Sequence, residues 1–141
     1  MDKRFWISGF AAFLVLFTGS YLVHGMWLTS DYVRRPQLFR PESEAGSLFI
    51  FMVLAFLSMG FAFAWIYRQG ISTERPWLMQ GLRFGLAVAF LTPLPMYLIY
   101  YVVQPMEGAT TAKQIIGDSI SFIVAGIVVA FINGTGRTER A

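Results

Sequence analysis

Ile115-Ile116-Gly117-Asp118-Ser119-Ile120-Ser121-Phe122-Ile123-Val124-Ala125-Gly126-Ile127-Val128-Val129-Ala130-Phe131-Ile132 is the stretch whose reading decides the fold. It is long and apolar enough to cross a bilayer, for which a helix needs about 20 mainly apolar residues. It also carries a carboxylate, Asp118, near its start. An acid costs roughly 2.5–3.5 kcal/mol at the centre of a span and less near an end, so it needs a partner, water or a purpose.

The rest of the chain fits the same solvent. Of 141 residues, 56% are hydrophobic and only 13% charged, against about 25% charged in soluble domains. The segments between apolar runs are too short for a soluble domain, so the expectation is an all-α membrane fold, one domain over residues 1–141. The net charge of +3 arises from 11 Lys and Arg against 8 Asp and Glu, scattered through loops and termini with no basic run. That pattern suits flanks of membrane spans and excludes a nucleic-acid surface. The absence of cysteine excludes disulfides, thiolate metal sites and thiol nucleophiles.

Four spans are expected, over residues 5–28, 46–67, 77–103 and 113–133. The first is longer than a signal-peptide core of about 7–15 residues and has no small-x-small cleavage site after it. Thr29 to Ala45 reads as a surface connection, because Pro36 and Pro41 oppose a continuous helix and Tyr32 and Phe39 suit the headgroup level. Gly60 and Ala64 give the second span a small-residue face. In the third, Pro93 and Pro95 leave the carbonyls of Ala89 and Leu91 without their usual partners, which predicts a kink.

Basic residues set the expected orientation. Lys3, Arg4, Arg68, Arg75, Arg83, Arg137 and Arg140 fall on one side, and Arg34, Arg35, Arg40 and Lys113 on the other. The excess predicts a four-transmembrane-helix bundle with both termini cytoplasmic. Asn133-Gly134-Thr135 would then face the cytoplasm, and its match to a glycosylation sequon is taken as chance.

With that topology, His24, Asp118 and Tyr97 lie within one helical turn of each other in depth. Helical phase groups Ser20, Tyr21, His24 and Trp27 on one face, Tyr97, Tyr101 and Gln104 on another, and Gly117, Asp118, Ser121 and Ala125 on a third. These faces predict an outer-leaflet pocket holding His24, Asp118, Tyr21, Tyr97, Tyr101 and Ser121 as a ligand or proton site. Three readings stay open: a functional site, a His24–Asp118 pair that merely satisfies itself or meets headgroup water, and an oligomer contact. At the opposite end Arg83, with Gln80 on its face, either snorkels to lipid phosphate or contacts an anion or a partner's carboxylate. Gly81 and Gly85 form a GxxxG pair suited to helix packing.

Stronger chemistry is not legible. A bis-imidazole haem needs two histidines and the chain has one. No metal cluster, Ser-His-Asp set or phosphate loop stands out, so no cofactor, no metal and no enzyme are expected. The His24-Gly25-Met26-Trp27, Gly81-Leu82-Arg83-Phe84-Gly85 and Gly117-Asp118 stretches together resemble those of small bacterial four-helix integral membrane proteins of unknown function. The resemblance implies a bacterial cytoplasmic (inner) membrane location and adds no activity. Small four-helix multidrug transporters carry a membrane-embedded Glu in the first span, which this chain lacks.

The functional expectation is a non-catalytic multi-pass membrane protein, self-associating as a homo-oligomer or serving as an accessory subunit of a larger membrane complex. The alternative is a small proton-coupled transporter or channel using the His/Asp/Tyr pocket. Haem or quinone binding in that pocket is the third.

Overall fold

The computed structural model describes residues 2–72 and 74–134, so Arg137, Arg140 and the sequon's Thr135 lie outside the described residues. Four helical segments, Lys3–Trp27, Phe49–Gln69, Trp77–Val103 and Gly108–Gly134, are long and apolar enough to cross a membrane. The described residues contain no strand.

Only the first of these segments departs from the regular helix expected, and the third breaks where its prolines predict a kink. The first is α-helical only over Lys3–Ser20 (α1); Tyr21–Trp27 widens into a π-helical turn, closed by a Leu28 N–H to Val23 carbonyl bond of 2.9 Å. The connection then forms a short helix α2 (Thr29–Val33), a 3₁₀ turn (Pro36–Leu38) and a helix α3 (Glu42–Ser47) before α4 (Phe49–Gln69) begins. The third apolar segment breaks at Thr92 into α5 (Trp77–Leu91) and α6 (Pro93–Val103). Thr92 ends α5 with both its N–H and its hydroxyl on the Val88 carbonyl, at 2.9 and 2.8 Å. The final helix α7 (Gly108–Gly134) starts earlier than predicted, which places Lys113 inside it.

Small residues set the packing order. A Cβ on Gly126 would lie 2.4 Å from the Gly81 carbonyl oxygen, and one on Gly85 would lie 2.6 Å from the Ile123 Cα. Only glycine lets α5 and α7 approach this closely. On the other flank Gly60 of α4 meets the backbone of Gly9 and Phe13 in α1. Both small-residue faces identified in the sequence are therefore used within the chain.

The helices lie in the sequence α5/α6, α7, α1, α4, with α4 reaching α5 through aromatic side chains near the N-terminal end. There Phe84 stacks edge-on against Phe63 at 4.6 Å and Tyr67 at 5.3 Å. These rings and Leu16, Phe122, Ala125 and Val129 form the buried core. At the His24 end α4 and α6 make hardly any contact, so the bundle closes at the N-terminal end and opens at the other.

Candidate functional site: a His24-centred network beside an open cavity

Four segments deliver the side chains around His24. The π-helical turn carries His24 itself, α2 carries Tyr32, α6 carries Tyr97, and α7 carries Gln114 and Asp118. The Tyr97 hydroxyl donates to Asp118 Oδ2 at 2.6 Å. His24 Nε2 faces both carboxylate oxygens at 3.3 Å and the Tyr97 oxygen at 3.2 Å. His24 Nδ1 lies 2.5 Å from the Tyr32 hydroxyl, whose oxygen accepts the Gln114 amide at 3.0 Å.

One proton assignment satisfies every group. With Nε2–H directed at Asp118, neutral His24 has an acceptor at Nδ1, and Tyr32 O–H donates to it. The hydrogen bonds then run in one direction, from Gln114 through Tyr32 and His24 to Asp118, with Tyr97 donating from the other side. The carboxylate thus carries charge-assisted bonds, roughly twice as strong as neutral ones. The His24 and Asp118 side chains keep 26% and 18% of their exposure, and His24, though not Asp118, borders open space.

That space is a cavity of about 780 Å³. Its apolar wall comes from Phe17 of α1, Phe49, Met52 and Phe56 of α4, and Phe39 of the connection. His24, Tyr32, Tyr97, Tyr100, Gln104 and Gln114 supply its polar part.

The connection is fastened over the site by ion pairs. Asp31, whose side chain is only 4% exposed, accepts from Lys113 Nζ at 2.8 Å and is bridged by Arg34. Arg35 meets Glu107 at 3.2 Å. The Lys113 hydrogen bond, then that of Arg34, holds the Asp31 carboxyl below the usual aspartate range against the opposing effect of burial. Burial pushes the Tyr32 phenol up, helped by the negative charges of Asp118 and Asp31, while Gln114 opposes the shift.

Placement differs from expectation for several residues. Tyr21 lines the rim of the cavity, with its ring folded over Gly25. Tyr101 stands outside it, its hydroxyl beside Gly108, and Tyr100 takes its place. Tyr100 and Tyr101 follow Tyr97 by three and four residues within the unbroken α6, and the cavity lies on the side of the three-residue neighbour. Ser121 bonds back to the Gly117 carbonyl at 3.1 Å and packs on Gly19, away from the cavity. Tyr32, expected at the headgroup level, folds onto His24, stacking on its ring. Its helical spacing gave no sign of this, because a turn separates it from the first span.

At the N-terminal end, Gln80 places its amide on the connection between α4 and α5. It accepts from Ser72 N–H at 2.8 Å and donates to the carbonyls of Ser72 and Arg75 at 2.9 and 2.7 Å. Arg83 remains exposed beside it. Among the described residues no cluster of three His or carboxylate side chains forms a metal site.

No protein-family model, curated protein or solved structure matches this chain. Residue roles at the site therefore come from its own geometry.

Proposed function

We propose that this chain is a non-catalytic multi-pass membrane protein that holds a membrane-dissolved amphipathic molecule in the cavity beside His24. The observation that carries the reading is the cavity's position: it lies between residues of α4 and α6, two helices that make hardly any contact with each other. A molecule in the lipid reaches such an opening sideways, lays its apolar part against Phe17, Phe49, Met52 and Phe56, and presents its polar part to the network. Apolar walls with a few convergent polar groups are the usual composition of a small-molecule site.

The network makes occupancy sensitive to one proton. When His24 is protonated, Nδ1 becomes a donor to the Tyr32 oxygen. That oxygen then accepts from both Gln114 and His24, and its own O–H must turn away toward the cavity. Protonation thus changes which atom meets the ligand, the coupling a proton-linked transporter requires. With the basic-residue excess on the N-terminal side, the cavity belongs to the outer leaflet of a bacterial inner membrane. The small-residue faces that favour self-association are used inside the chain, which ranks ligand binding above an oligomeric or accessory role.

The test is native mass spectrometry of the full chain released from micelles after expression in a bacterial membrane. A co-purifying small molecule should be retained by the wild type and lost from Ser20→Phe, which fills the cavity from α1. Equal adducts on both proteins would overturn the reading.

A further inference from the structure

Cations at the two ends of the bundle are treated differently. At the His24 end Arg34, Arg35, Arg40 and Lys113 each lie within bridging distance of a carboxylate. At the N-terminal end Arg68 is gripped through both nitrogens by Asp2, at 2.7 and 2.8 Å. Arg75 and Arg83, by contrast, have no carboxylate within bridging distance among the described residues, although Glu74 is next in sequence to Arg75.

These two arginines line one cleft, of about 500 Å³, between the end of α4 and the first turns of α5. Ile66, Tyr67 and Phe84 give it an apolar wall. Its rim is held by Gln80, whose three hydrogen bonds fix Ser72 and Arg75 to α5. Gln80 is thus a fastener for the rim, with its amide protons already used, and the guanidinium groups remain for a ligand. A planar guanidinium presents paired N–H donors that match phosphate oxygens. The apolar wall beside them suits the start of an acyl chain.

We infer that the Arg75/Arg83 cleft is a phosphate-binding site, filled by the headgroup of an anionic phospholipid or by a soluble phosphate. The site is separate from the His24 cavity and stands independently of the proposed ligand there. Arg83 lies within the second turn of α5, where its long side chain carries the charge toward the headgroup level. Binding therefore also fixes how deeply that helix sits in the bilayer.

The experiment uses the full chain in neutral-detergent micelles doped with equal amounts of phosphatidylglycerol and phosphatidylcholine, read by native mass spectrometry. The wild type should retain phosphatidylglycerol preferentially. The preference should fall about thirtyfold in R75Q/R83Q, at roughly fivefold for each basic group removed. K3Q/R4Q, which removes the same charge from the same end outside the cleft, should keep it. Added inorganic phosphate that displaces the lipid and is itself retained identifies a soluble phosphate as the stronger ligand and supports the site. No lipid preference together with no phosphate retention overturns the proposal, as does a preference unchanged in R75Q/R83Q or lost equally in K3Q/R4Q. If the double variant does not fold, Arg75→Gln alone should lose about fivefold, and no loss overturns the proposal as well.

Discussion

His24 sits where four hydrogen-bonding groups from three other segments converge, and its bonds to Asp118 and Tyr32 depend on one another through its two ring nitrogens. Residues in one such network couple by about 0.5–3 kcal/mol in double-mutant cycles. His24→Ala and Asp118→Asn, measured singly and together by unfolding in detergent, should therefore be non-additive; strictly additive losses would sink the pairing. Because the phenol of Tyr32 is raised by burial and nearby negative charge, its neutral form is favoured by folding. That contribution is fully present below the ordinary tyrosine value of about 10 and is lost as pH rises through the higher folded value. Ultraviolet titration should show late-ionising phenols, one fewer of them in Tyr32→Phe than in the wild type. The meeting of His24, Asp118 and Tyr97 was legible from depth and phase alone, since straight helices convert residue number into height. Tyr32 was not, because a chain reversal resets the phase that such counting depends on, and Tyr100 was not, because neighbours three and four residues beyond Tyr97 are equivalent to such counting until the side of the cavity is known.

At the scale of elements, the connection α2–α3 is held by charge where the long helices are held by close backbone contact. Asp31 has a folded value lowered by Lys113 and Arg34, so the stability it contributes is present above the ordinary aspartate value of about 4 and fades as pH falls through the lower folded value. Hydrogen exchange should find residues 30–40 opening on acidification while α4 and α7 stay protected, and Asp31→Asn should open them already at neutral pH. Protection unchanged in that variant would mean that Tyr32 alone secures the segment. The α5–α7 contact has the opposite character. Gly126→Leu places a side chain against the Gly81 carbonyl and the Gly85 backbone, and overpacking of this kind costs about 1–3 kcal/mol or more. Thermal unfolding in detergent should show the loss for Gly126→Leu and none for Gly46→Ala, where a Cβ meets open space. The four long helices and the break near Pro93 and Pro95 could be read from hydropathy and proline chemistry. The π-helical turn could not, because Gly25 weakens the helix over Tyr21–Trp27 without specifying a wider turn.

On the scale of the whole molecule, the aromatic contact of Phe63, Tyr67 and Phe84 sets the form of the bundle, since it draws α4 and α5 together at one end and leaves α4 and α6 apart at the other. The chain's lack of cysteine makes that opening testable by a single introduced pair. Met52→Cys and Tyr100→Cys face the cavity from opposite sides, and joining them with a flexible bis-maleimide should trap a resident molecule against detergent washing. Loss of the adduct at the unlinked rate would show that exchange takes another route. Phe56 both lines the cavity and packs against the buried core. On that side the wall is backed by close-packed side chains, which yield little, so what the space admits there is decided by size and shape before chemistry.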